Sequence, residues 1–207
     1  MPTRILPLLL ISLMLLACGR STPTSYYLLE SSPGIEEAVG QPDASLRVAQ
    51  VSVPAYLDRT GIVSRVNGEN RLLIAEFHAW AEPLGQGVRR VLQEALTVPM
   101  LRQGIDVLPS EDDRSGDFVL LVDIQRFDGS LGDTMDNTAV LEARWTLQRN
   151  DGTVLGRGIH ADKESISVPA SRQNINQSYD LLVGAQSRLL QDMATALLQQ
   201  LPPLMRK

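Results

Sequence analysis

The sequence predicts an α+β fold: a mostly antiparallel sheet of six to eight strands with two amphipathic helices packed on one face. Residues 138–148 alternate between apolar and polar side chains, the pattern of a strand with one buried face. Two apolar stripes with helical spacing follow Pro83 and Ser178. Because each helix carries a single stripe, both helices can cover the same face of one sheet.

Length and composition exclude several classes of protein. The 207 residues are 43% hydrophobic, which is too apolar for a disordered chain and sufficient for one core. A single Cys excludes an intramolecular disulfide framework and a Cys-rich zinc site. The net charge of −5 argues against a nucleic-acid-binding protein, which needs a basic face to neutralise phosphates.

Residues 1–17 have the features of a lipoprotein signal peptide. The apolar run at 5–16 would be about 18 Å long as a helix, too short to cross a bilayer core of about 30 Å. The run ends in Leu15-Leu16-Ala17-Cys18, which resembles the bacterial lipobox. This resemblance implies cleavage before Cys18 and a covalent lipid on its thiol, with no other cofactor. An ordinary secretory signal with an incidental Cys is the alternative.

The residues after Cys18 predict where the protein is anchored. Asp at the next position retains enterobacterial lipoproteins in the inner membrane, so Gly19 favours the outer membrane. Residues 18–25 are polar and predict a short lipidated tether. Residues 26–207 then form a single periplasmic domain, since no linker divides them.

The first half of this domain predicts short strands. Residues 26–29 form the first, and residues 46–53 form a second whose apolar positions change parity, which predicts a β-bulge. Residues 61–66 and 71–76 flank Asn67-Gly68, a strong hairpin signal because both residues tolerate positive φ.

The middle of the chain changes period. The apolar positions from Leu84 to Leu96 form one helical stripe, which begins after Pro83 and is limited by Pro99. Residues 107–109 predict a short strand, and the continuous apolar run at 118–124 predicts a central strand.

A second hairpin and a terminal helix complete the domain. The alternating strand at 138–148 turns at Asn150-Asp151-Gly152 into a partner strand at 154–166. The last helix runs over 178–200, with Ser178 as its N-cap and Pro202-Pro203 as its end.

The sequence contains no catalytic or metal-binding pattern that supports an enzyme. His78 has no second His at ligand spacing, and His160 has no patterned Asp or Cys, so we expect a surface or turn position for it. The chain has no nucleophile elbow, Walker A loop or dinucleotide-binding glycine motif. Glu111-Asp112-Asp113 could bind calcium weakly, but a solvated acidic loop explains it better.

Residues 53–92 carry the most distinctive pattern in the chain. It comprises a Tyr-Leu-Asp-Arg loop, an Ile-Val strand, and a Trp-Ala-Glu-Pro-Leu segment that leads into an amphipathic helix. This order and spacing resemble the ABC-type transport auxiliary lipoprotein family, and within it the PqiC-type subunit of membrane-integrity, MCE-linked transport systems. The first strand and the terminal helix fit the same family.

The resemblance implies a non-catalytic accessory lipoprotein of an MCE-type intermembrane system that moves lipids or other hydrophobic molecules. Its partner would be an MCE-domain protein anchored in the inner membrane, and exposed strand edges would also allow pairing between copies. A structural lipoprotein that scaffolds or plugs an outer-membrane assembly is the alternative function.

Five residues within the family pattern are candidates for partner binding: Tyr56, Asp58, Arg59, Trp80 and Glu82. Aromatic residues and Arg are common interface anchors. For the loop residues the alternative is structural, with Asp58 and Arg59 capping the loop and Tyr56 closing the core. Helix initiation explains neither Trp80 nor Glu82, so these two are the stronger candidates.

Overall fold

The computed structural model describes residues 22–31, 40–66, 70–110, 112, 116–131, 137–167 and 175–206. The signal peptide, Cys18 and Gly19, the first part of the tether, the Asn67-Gly68 turn, and Glu111 and Asp113 lie outside these ranges.

Eight strands and two helices make up the described part of the chain. In chain order they are β1 Ser25–Tyr27, β2 Ala44–Val48, β3 Gly61–Arg65, β4 Leu72–Trp80, α1 Leu84–Leu101, β5 Ile105–Val107, β6 Phe118–Ser130, β7 Thr138–Arg149, β8 Val154–Ser165 and α2 Ile175–Met205. The strand count and the position of both helices confirm the predicted α+β class.

The sheet is mixed, so the prediction of a mostly antiparallel sheet is wrong. The hairpins β3–β4 and β7–β8 are antiparallel, as the turn signals predict, and β6 pairs with β7 in the same way. However, β1 pairs with β4 in parallel, and β2 and β3 both run parallel to β6. Helix α1 separates β4 from β5 along the chain, and β5 pairs in parallel with β2.

Strand β6 is the centre of the sheet. One side pairs over its whole length with β7. Its other side pairs with β2 at one end and β3 at the other, and Ser52 forms a bridge to Asp123 between them. The parity change predicted as a bulge within one strand is therefore a break after Val48, beyond which the chain stays beside β6.

The apolar stripes of both helices lie in one core. In β7 the apolar parity, from Ala139 to Leu147, is buried as predicted. The helical stripes belong to the same core cluster and are fully buried at the following positions: Val88, Val91, Leu92 and Leu96 in α1, and Leu182, Ala185, Met193 and Leu201 in α2. The two helices also pack against each other.

Both helices extend beyond their predicted ends. Helix α1 continues past Pro99 to Leu101, and α2 includes Pro202 and Pro203. Each proline removes one backbone donor, but burial of Met100 and Leu201 in the core holds the following turn in helical conformation. Helix α2 also begins at Ile175, so Ser178 lies in its first turn and is not its N-cap.

Candidate functional site

The loop at residues 54–60 separates into a buried part and an exposed part. The carbonyl of Pro54 accepts hydrogen bonds from the N–H groups of Leu57 at 2.8 Å and Asp58 at 3.2 Å, which closes a turn. Leu57 is buried, whereas Asp58 and Arg59 are exposed. The loop therefore presents two opposite charges to solvent on a hydrogen-bonded turn.

Tyr56 is half-buried and reaches a charged cluster under the loop. Its hydroxyl donates to Asp128 Oδ2 at 3.5 Å. Burial raises the pKa of Tyr56, and the Asp128 carboxylate raises it further. Asp128 is completely buried and also accepts hydrogen bonds from the Nε atoms of Arg65 and Arg126, each at 3.0 Å. Tyr56 thus fixes the loop to strands β3 and β6.

Trp80 lies in the core at the end of β4. Only 7% of its surface is exposed, and its backbone N–H donates to the Thr60 carbonyl at 2.7 Å. The structure therefore brings Trp80 next to the end of the 54–60 loop. Because the indole is buried, Trp80 supports the loop from below and offers little surface to a partner.

Glu82 holds an ion-pair network at the start of α1. Arg90 donates to Glu82 Oε1 from Nη2 at 2.7 Å and to Glu94 Oε1 from Nη1 at 3.2 Å. The same Nη2 donates to the Leu29 carbonyl at 2.7 Å, and Ser31 donates to Glu94. The bond to Glu82 raises the pKa of Arg90. Glu82 therefore acts through Arg90, which ties α1 to the chain that leaves β1.

Three aromatic side chains join β1, β4 and α2. The ring of buried His78 stacks on Tyr179 with centroids 4.1 Å apart, and its Nδ1 lies 2.9 Å from the Tyr27 hydroxyl. Burial lowers the pKa of His78 and raises the pKa of Tyr179. Within the described ranges, no three His, Cys, Asp or Glu side chains are grouped so that they could hold a metal ion.

A groove of about 490 Å³ lies between β1 and α2. Its β1 wall is formed by Tyr26, Tyr27 and Leu28, and its α2 wall includes Asp180 and Ser187. The N–H of Glu30 donates a hydrogen bond to Ser187 Oγ at 3.1 Å, which joins the two walls of the groove.

Exposed apolar residues that were not predicted as a surface lie in and just after β1 and along β4. Tyr26 is 71% exposed, Leu28 47%, Ile74 53% and Phe77 37%. The signal was present, because four consecutive apolar residues at 26–29 must point two side chains away from the core in an alternating strand. Tyr27 and Leu29 face inward, which leaves Tyr26 and Leu28 outside.

His160 lies on β8 at a partly buried position, which differs from the predicted surface or turn-proximal position. Its Nε2 is buried and has no hydrogen-bond partner in the described part of the chain. In the same part, no helix is both long enough and apolar enough to cross a membrane.

Comparisons with known proteins agree with this architecture. Residues 26–197 match the family model described as the ABC-type transport auxiliary lipoprotein component. No curated protein matches the sequence. The fold is similar to that of a Xanthomonas campestris protein of family DUF330, with a TM-score of 0.67 and 17% identity over 88% of this chain and 97% of the other. An uncharacterized protein has a TM-score of 0.63 and 21% identity, covering 86% of this chain and 99% of the other.

Proposed function

Because this chain belongs to the family of ABC-type transport auxiliary lipoprotein components, we propose that it is the outer-membrane-anchored accessory subunit of an MCE-type intermembrane transport system. In this proposal Cys18 carries the lipid, the domain faces the periplasm, and the cargo is a lipid or another hydrophobic molecule. The protein acts by binding a partner and not by catalysis.

The family match carries the proposal, because it covers 172 consecutive residues, from 26 to 197, and includes all of α1, α2 up to residue 197 and all but one residue of the first strand. The lipobox supports it independently, since the only Cys of the chain stands at the position where lipidation would use it. Two or three acyl chains provide stable anchoring, at about 0.8 kcal/mol for each buried CH₂ group.

The exposed part of the 54–60 loop is the surface that we assign to the MCE-domain partner. Asp58 and Arg59 are both exposed, while Tyr56, Trp80 and Glu82 hold the surrounding backbone through internal contacts. Because hydrogen bonds already close the turn, its backbone loses little conformational entropy on binding, which favours a specific protein contact.

Affinity purification from detergent-solubilised envelopes tests this function, with mass spectrometry of the copurifying proteins and lipids. We expect an MCE-domain protein to copurify with the unchanged chain. Its yield should fall about tenfold or more with Asp58→Ala/Arg59→Ala, as expected when central charged contacts are lost. Asp162→Ala/Lys163→Ala removes an equally exposed charged pair from β8 and should leave the yield unchanged.

Recovery of an outer-membrane barrel without any MCE-domain protein would contradict the proposal and favour the scaffold or plug function. If both double variants lowered the yield of the MCE-domain protein equally, the effect would be one of charge in general. That result would contradict only the assignment of the 54–60 loop and not the proposed function.

A further inference from the structure

We propose that the apolar edge formed by Tyr26, Leu28, Ile74 and Phe77 rests on the lipid surface in which Cys18 is anchored. This inference rests on the lipid attachment proposed above. It adds a second, non-covalent contact that fixes how the domain is oriented on the membrane.

The four side chains are apolar and yet unusually exposed to solvent. Each is between 37% and 71% exposed, although the core buries most other large hydrophobic residues. Exposed apolar residues that cluster in this way mark a contact surface, and Tyr is enriched where a protein meets the membrane interface.

The register of the sheet places Tyr26, Ile74 and Phe77 on one face, and Leu28, two residues after Tyr26, shares that face by alternation. Tyr26 pairs with Ala79, which in turn pairs with Gly61, so the three positions form one row across the sheet. The side chain of Ile74 lies over Gly61, because a Cβ built on that glycine would be 2.9 Å from Ile74 Cγ2. Phe77 precedes buried His78, and alternation along the strand turns it to the opposite, exposed face.

The length of the tether favours a lipid surface as the occupant of this edge. Eight residue steps separate Cys18 from Tyr26, and a fully extended chain spans at most about 3.3–3.6 Å per residue. The edge is therefore held within roughly 30 Å of the lipid headgroups. Tethering at this distance gives an effective concentration in the millimolar range, so weak apolar contacts suffice to dock the edge.

The acidic charge of the chain defines the kind of lipid surface that fits. The formal net charge of −5 does not favour adhesion to anionic headgroups. Apolar and aromatic side chains instead insert at the boundary between headgroups and acyl chains, whatever the headgroup charge. We therefore expect a surface rich in zwitterionic lipid to bind this edge at least as well as an anionic one.

The test uses the lipidated protein reconstituted into vesicles of phosphatidylethanolamine with a minority of phosphatidylglycerol. Leu28→Trp places a fluorescent probe in the edge. Ile159→Trp is the matched control, because Ile159 is 74% exposed on β8 at the opposite end of the sheet. The native Trp80 and Trp145 are buried and give a constant background.

Replacing part of the lipid with its acyl-brominated form should quench the probe at position 28 about twofold, at an interfacial depth of roughly 5–10 Å. The probe at position 159 should match the background. Quenching should persist when the lipid-to-protein ratio is raised, which separates lipid from a second copy of the chain.

Absence of quenching in protein that floats with the vesicles would overturn the inference and leave the lipid anchor intact. If the probe at position 28 is shielded from solvent only at a low lipid-to-protein ratio, a second copy of the chain covers the edge. That result would overturn the inference. Failure to float would reject the lipid anchor itself, and the inference with it.

Discussion

Asp128 is a completely buried carboxylate that accepts hydrogen bonds from arginines on two strands and from Tyr56. Replacement by Asn keeps its size but removes the charge that compensates Arg65 and Arg126. We expect Asp128→Asn to lower the free energy of unfolding by about 2–4 kcal/mol, measured by urea denaturation. Glu164→Gln disrupts a more exposed pair with Arg188 and should cost less than about 1 kcal/mol. Equal losses in the two variants would contradict this account.

Gly158 allows the indole of Trp145 to lie across the neighbouring strand. A Cβ at this position would be 2.6 Å from three atoms of the indole, which is buried and cannot move aside. Gly158→Ala should therefore cost about 1–3 kcal/mol of stability and shift the Trp emission, both measured during urea unfolding.

Gly184→Ala is the control, and its effect on stability should have the opposite sign. A Cβ built on Gly184 would have its nearest neighbour at 3.5 Å, which is an ordinary contact distance. At this helical position Ala should stabilise the protein by about 0.5–1 kcal/mol. A stable Gly158→Ala variant would show that the indole can repack.

At the scale of elements, Arg90 joins α1 to β1. Its guanidinium contacts Glu82, Glu94 and the Leu29 carbonyl together. Arg90→Ala should cost about 1–3 kcal/mol in urea unfolding and increase amide hydrogen exchange at residues 28–31. Arg90→Lys should restore little of the lost stability, because an ammonium group cannot reproduce the forked hydrogen bonds of the guanidinium. Full rescue by Lys would mean that charge alone is required.

His78 connects β1, β4 and α2, and it makes stability depend on pH. Burial lowers its pKa in the folded state, so the unfolded chain binds a proton first as the pH falls below about 6.5. His78 therefore destabilises the fold progressively from that pH down to its folded pKa. His78→Phe keeps a ring on Tyr179 and should flatten this part of the profile, followed by urea unfolding between pH 7.5 and 5. Parallel profiles for the two proteins would contradict this role.

Local periodicity explains which elements were predictable. The alternation in β7 and the stripes in α1 and α2 each depend on a single segment, and the structure confirms them. The parallel pairing of β1 with β4 joins residues more than 50 positions apart, and no local pattern encodes such a register. The same limit applies to the ends of α1 and α2, where burial of Met100 and Leu201 outweighs the prolines.

The candidate site shows a similar division. Asp58 and Arg59 were predicted in a loop and are exposed there. The Tyr56–Asp128 contact joins positions 72 residues apart and could not be predicted from local sequence. The partner of Glu82 could have been found, because Arg90 follows it by eight residues at the start of an amphipathic helix. Whether the five candidate residues bind a partner stays a prediction.

At the scale of the whole molecule, the proposed function makes the attachment of the domain depend on one side chain. Cys18→Ser removes the thiol that the lipobox would modify, so we expect the protein to leave the outer-membrane fraction and appear in the soluble periplasm. Membrane fractionation on a density gradient measures this. A variant that still sediments with the outer membrane would show that another contact anchors the domain, or that the lipobox interpretation is wrong.

The contact between β1 and α2 also sets the order in which the fold can close. Glu30 and Ser187, which bond to each other, are 157 residues apart in the chain. At a synthesis rate of about 5–20 residues per second, roughly 8–30 s pass between the appearance of the first partner and that of the second. Throughout that interval the earliest strand lacks α2, although its strand partner β4 appears much sooner. A product that ends before α2 would therefore leave the α2-facing side of its first strand permanently exposed.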